Sequence, residues 1–195
     1  MTGLETAIIL VAFVITASAF AYVVLNVGFL TAEKTQSVIS SGMSEASSAL
    51  YLDSDVIGSF ANNTGSQSDV CMTKAIFYVS LGQGNSPIEM SASKVVITYT
   101  NPRCHASVYD TNGTITTITQ VTGDGDNVIE SGERFKVSID FTELSKSNVE
   151  PSQSTQSDVY THPHEEIRID LRPSTGAVLT IKRNLPQIAH TVQAF

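Results

Sequence analysis

Between Glu5 and Glu33 the chain runs for 27 residues without a formal charge, and that run constrains everything around it. As a helix rising about 1.5 Å per residue it would be about 40 Å long, more than the roughly 30 Å hydrocarbon core of a bilayer. So much apolar surface cannot be left in water; it must meet lipid or other apolar helices. A secretory signal would carry a basic flank, a shorter apolar region and a small-residue cleavage site. Here the run is longer and no basic residue precedes it. The expectation is therefore a helix kept in the mature protein, after removal of a short basic leader.

The helix is expected to continue past Leu30. Ile39, Met43, Ala46 and Leu50 recur at spacings of four, three and four, the seam of an amphipathic helix with one wet face. Asn26 and Gly28 lower helix propensity where the two halves meet, so a bend is expected there. Small residues are frequent along both halves, among them Ala17, Ser18, Ala19, Ala21, Ser40, Ser41 and Gly42. They allow close approach of helix backbones, which points to helix-against-helix packing and not to a solitary lipid anchor.

The remaining length suits one globular unit of roughly 120 to 140 residues, and the expected division is 1–60 for the helix and 61–195 for the folded domain. Past the polar stretch NNTGSQ the period changes. KAIFYVSL, KVVITYT, ASVYD, GTITTITQV, RFKVSIDF, EEIRIDLRP and AVLTIKR are rich in Val, Ile, Thr and aromatics, and several alternate apolar with polar. In RFKVSIDF, Phe135, Val137, Ile139 and Phe141 share one face; Ile167, Ile169 and Leu171 repeat the pattern. About seven short strands parted by Gly, Asn, Pro and Asp turns predict an antiparallel sandwich or barrel. SKSNVEPSQSTQSD reads as a long exposed loop.

Charge narrows the partners. The net charge of −8 arises from 19 acidic and 11 basic residues, with no basic cluster larger than Lys182 and Arg183; nucleic acid, which demands concentrated Lys and Arg, is an unsuitable partner. The densest acidic stretch is TGDGDNVIESGERF. There Asp124, Asp126, Asn127, Glu130 and Glu133 supply hard oxygen ligands of the kind calcium takes, although the spacing is not that of an EF-hand; the alternative is a solvated acidic hairpin turn. In HPHEE, Pro163 between His162 and His164 favours an extended loop, no third ligand is predicted nearby and the next residues enter a strand, so a zinc or catalytic site is not expected. No GxSxG, phosphate-binding Gly loop or HExxH occurs in the sequence, and an enzyme is not predicted.

Two cysteines allow one bridge. If KAIFYVSL and KVVITYT pair as a hairpin around GQGNSPIEM, Cys71 and Cys104 would face each other across its ladder. A bridge there would stabilise by roughly 2 to 4 kcal/mol and imply an oxidising exterior; two buried thiols is the alternative. Asn62 and Asn112 head Asn-Asn-Thr and Asn-Gly-Thr, the form of glycosylation acceptors.

TGLETAIILVAFVITASAFAYVVLNVGFLTAEKTQ closely resembles the start of mature archaeal flagellins, or archaellins. IRIDLRPSTGAVLTIKRNLP is similar to their closing strands, and GDGDNVIESGERF to the acidic turn before an inner strand. The resemblance is strong at both ends and loose between them. It implies an α+β chain: a type IV pilin-like N-terminal helix followed by an immunoglobulin-like antiparallel β-sandwich. It implies a structural subunit that rests in the membrane before assembly and then polymerises with identical copies into an extracellular swimming filament. Torque would come from the separate motor and platform proteins of the archaellum. It also implies an assembly role for Glu5, paired with the amino group at Met1 of a neighbour; the alternative is that Glu5 simply complements the dipole of its own helix. An adhesive type IV pilin would share the helix, and a monomeric membrane-anchored calcium-dependent adhesion domain would need no small residues along it.

Overall fold

The computed structural model describes residues 3–62, 70–91, 93–109, 113–146, 156–187 and 190–195. Met1, Asn112, and Glu150 in the expected long loop lie outside them. The chain divides into two compact units, Met1–Met43 and Ser44–Phe195. The boundary thus falls earlier than the expected 60/61, because Leu50–Leu52 and Ile57–Asn62 are strands of the second unit and do not continue the helix.

Helix α1 is Gly3–Ser47, uninterrupted at Asn26 and Gly28. Its Val and Ile residues are indifferent helix formers in water. In an apolar medium, where every backbone N–H and C=O must be satisfied within the segment, the helix is the single-segment solution. A serine cluster ends it. The Ser48 N–H and hydroxyl both donate to the Ser44 carbonyl, at 3.0 and 2.7 Å, and the Ser47 hydroxyl meets Ser86 Oγ at 3.2 Å. Leu50, expected to continue the helical seam, instead opens a strand because these hydroxyls compete for the last carbonyls.

The second unit holds β1 (Leu50–Leu52), β2 (Ile57–Asn62), β3 (Val70–Leu81), β4 (Ile88–Glu89), β5 (Val96–Thr100), β6 (His105–Ser107), β7 (Thr116–Thr122), β8 (Val128–Ile129) and β9 (Arg134–Asp140). Helix α2 (Phe141–Lys146), a 3-10 turn (Gln156–Val159), β10 (Glu166–Arg172), β11 (Leu179–Asn184) and β12 (Val192–Ala194) complete it. One sheet has the order β12-β2-β3-β9-β7 with β1 also on β3; a second has the order β11-β10-β5-β6; β4 and β8 form a short separate ladder. All these strand pairings are antiparallel.

The alternation read from the sequence sets the faces. Phe135, Val137 and Ile139 of β9 are buried, as are Ile167, Ile169 and Leu171 of β10, and both sets join a single core with Phe77, Tyr99 and Ile97. Phe141 is buried too, but it starts α2, where its ring lies 4.5 Å from that of Tyr99. The expected hairpin is not formed: β3 and β5 belong to different sheets, and the intervening segment carries β4, which pairs with β8. The expected long loop is shorter than read, since Ser145 and Lys146 are helical and Gln156–Val159 is a 3-10 turn.

Candidate assembly surface

No described residue of α1 is buried. Its large apolar side chains, from Leu4 and Ile8 through Phe13, Phe20 and Phe29 to Met43, are all exposed and lie around the whole circumference. A helix apolar all round is stable only when covered on every side. The unit Met1–Met43 is therefore a surface waiting for lipid or for other helices.

Its polar groups fit that role. Thr16 donates to the Ala12 or Phe13 carbonyl, each at 3.0 Å, Ser18 to Ile15 at 2.9 Å, and Thr31 to Val27 at 2.8 Å. Hydroxyls satisfied by their own backbone can enter an apolar phase at small cost. Glu5 is exposed in the first turn, where the helix dipole favours an anion.

The acidic stretch is a turn that organises itself. Asp126 Oδ1 accepts the Val128 N–H at 2.8 Å, Glu133 Oε2 accepts that of Glu130 at 2.9 Å, and Glu133 Oε1 accepts Gln120 Nε2 at 3.0 Å and the Asp124 N–H at 3.3 Å. Among the described residues no three His, Cys, Asp or Glu side chains come together as a metal site. Of the five candidate ligands, Asp124, Asp126 and Glu133 thus turn side-chain oxygens to N–H groups of the turn itself.

Cys71 and Cys104 are both buried and are not joined to each other. Cys71 lies on β3 opposite Ala61 of β2, and its thiol contacts the Ala61 carbonyl at 3.7 Å; Cys104 lies between β5 and β6. The ladder expected to hold a bridge does not exist, since β3 and β5 belong to separate sheets. Asn62 is exposed at the end of β2.

A buried polar clamp was not legible in the sequence. Asn101 Nδ2 reaches the carbonyls of Asp158, Val159 and Tyr160 at 2.9, 3.2 and 3.3 Å, and its Oδ1 accepts the N–H groups of Arg103 and Cys104. The Tyr99 hydroxyl bonds Thr161 Oγ1 and the Val159 carbonyl, and Met72 N–H donates to the Thr161 carbonyl at 2.9 Å, so the segment 158–161 ties the two sheets together. Burial pushes the Tyr99 hydroxyl pKa well up. Arg103 closes the clamp on Glu165 and the Tyr160 carbonyl. Burial would raise the Glu165 carboxyl, but the hydrogen bonds from Arg103 and the His162 N–H outweigh it and hold the group below its ordinary value. His162 of HPHEE is part of this clamp, with Nδ1 2.8 Å from the Arg103 guanidinium. The nearest sequence signal was Asn-Pro-Arg after a strand, which by itself reads only as a turn.

An apolar helix with no buried face, joined to an antiparallel sandwich closed by its own polar clamp, defines a class of protein: a filament subunit whose helix requires covering from outside its own chain. The chain belongs to the archaeal-type flagellin family, whose model matches residues 1–183. It is 36% identical to probable flagellin 2 of Archaeoglobus fulgidus over 95% of this chain and 88% of that one. To probable flagellin 1 of Aeropyrum pernix it is 30% identical, over 95% of this chain and 91% of the relative. The archaeal flagellum of Methanospirillum hungatei strain JF1 matches it with a TM-score of 0.67 and 28% identity, covering 95% of this chain and 94% of that one. The protein is a structural subunit of the extracellular archaellum filament.

Proposed function

We propose that the subunit polymerises with identical copies through α1, the helix leaving a membrane to be covered on all sides by the same helix of its neighbours. The observation that carries this reading is that no described residue of α1, 45 residues long, is buried within its own chain. Lipid is as apolar as a neighbouring helix, so the exchange must be driven by close packing and not by escape from water. Small residues such as Ala17, Ala19 and Ala21 permit that approach. Glu5 would enter the bundle at the helix N-terminus; a Glu5→Ala subunit assembling at the wild-type rate would rule out its pairing with a neighbour's amino-terminal group.

The folded domain would face outward with no catalysis of its own, and torque would come from a membrane motor and platform. Asn62, exposed at the end of β2, and Asn112 are proposed glycan attachment points, checked by intact mass before and after deglycosylation. The central test is genetic and visual. Cells producing only a form lacking residues 3–43 should shed no filaments under shear and should not swim while still attaching to surfaces. Uniform filaments from that form would overturn the reading.

A further inference from the structure

The polar side chains between Ala7 and Ala32 are Thr16, Ser18, Tyr22, Asn26 and Thr31. Three of them, Thr16, Ser18 and Thr31, spend their hydroxyls on carbonyls of their own helix. Tyr22 and Asn26 make no such bond in the described helix. Tyr22 is 68% exposed, and Asn26 is exposed as well. Four residues apart, they sit on one face of α1, one turn above the other. A carboxamide carries two donors and an acceptor, and a phenol carries one of each. Once the helix is covered, these groups meet either partners or a desolvation penalty.

We propose that Asn26 and Tyr22 form an inter-subunit hydrogen-bond pair, the Asn26 carboxamide of one copy meeting the Tyr22 hydroxyl of the next, and that this pair fixes the register in which α1 helices pack. This rests on the reading that α1 is the polymerisation surface. The occupant is a second copy of this chain. In a bundle of identical helices, the other hydroxyls near this depth already donate to their own backbones and can only accept, so the Asn26 carbonyl oxygen and the Tyr22 O–H are the acceptor and donor left for each other. Apolar side chains around the rest of the circumference pack acceptably in many registers; one pair that must meet its counterpart makes a single register preferred. A lone Asn in a coiled-coil seam acts the same way, giving up stability for a unique alignment.

The test compares wild type, Tyr22→Phe, Asn26→Leu and the double variant in the full-length subunit, reading critical concentration for polymerisation and helical symmetry by electron cryomicroscopy. Tyr22→Phe strands the carboxamide and should raise the critical concentration roughly three- to twenty-fold, the range of measured inter-helix hydrogen bonds. Asn26→Leu strands the phenol in turn, so it should also raise the critical concentration, and its filaments should show more than one symmetry. Adding Asn26→Leu to Tyr22→Phe should restore the critical concentration, a rescue that the lost packing of the hydroxyl oxygen alone would not give. Asn26→Leu filaments of the single wild-type symmetry, or a Tyr22→Phe defect that Asn26→Leu does not rescue, would overturn the pair while leaving polymerisation through α1 intact. Filament growth from subunits lacking residues 3–43 would overturn both.

Discussion

Two phenylalanines of the same chain should respond in opposite ways to the same truncation. Phe77 is 0% exposed at the centre of β3, and Phe20 is 72% exposed on α1. Phe77→Ala removes a ring from a filled core and loses both its transfer from water and the contacts around the vacated space, together about 3 to 5 kcal/mol. For a folded unit of this size each kcal/mol moves the melting temperature by about 2 to 4 °C. The sandwich should then melt roughly 6 to 20 °C lower. Phe20→Ala should leave that melting temperature unchanged, since its side chain supports nothing within the sandwich. Its effect belongs to assembly. With the subunit coming from lipid, as proposed, the transfer term cancels and only the packing loss remains, about 1 to 2.5 kcal/mol, or a rise of roughly 5- to 70-fold in critical concentration. Calorimetry of the sandwich transition and sedimentation of polymer separate the two readouts. A Phe20→Ala sandwich destabilised by more than about 1 kcal/mol, well beyond the usual effect of an exposed substitution, would refute the claim that α1 is bare within its own chain.

Three further outcomes follow from the folded unit. Glu165 is held below its ordinary pKa, so its contribution is fully present above the unfolded value and is lost as pH falls through the folded one. Wild type should therefore lose stability below about pH 4.5 more steeply than Arg103→Gln, which should itself cost about 1 to 2 kcal/mol at pH 7; parallel acid-denaturation curves would exclude the clamp as the cause. Gly176 has φ +100° and an added Cβ would lie 2.0 Å from the Ser48 carbonyl, whereas Gly125 at φ +99° opens on empty space. Gly176→Ala should cost about 3 kcal/mol or more and Gly125→Ala about 1 kcal/mol, and equal urea midpoints would contradict this. Finally, millimolar calcium should leave the melting temperature where it was while Glu133→Gln lowers it, because that carboxylate organises the turn; a calcium-dependent rise would mean that the five oxygen donors rearrange into a site.

The features that were legible in the sequence share a local cause. An uncharged run announces α1 because length and hydropathy need no knowledge of the rest of the chain, and period-two alternation assigns Val137 or Ile169 to the core because a strand's two faces are fixed by its own geometry. Alternation says which way a side chain points and nothing about which strand lies beside it. The hairpin joining β3 to β5 failed for that reason: the stretch between them is long enough to pass to the other sheet, and β3 takes β2 and β9 as neighbours instead. Asn101 is a harder case still. A polar residue beside a proline normally reads as turn, and its burial is decided by the segment 158–160, nearly sixty residues away, whose carbonyls it satisfies. The acidic turn is legible only as a set of donors, since the same oxygens suit an ion or their own backbone and the sequence does not choose between them. For α1 the logic runs in reverse: its sequence is legible because none of its described residues is buried by the rest of the chain, which could have overridden it. What the isolated chain leaves unspecified, the register against its neighbours, must be encoded by the few side chains that an apolar bundle cannot satisfy in an arbitrary alignment.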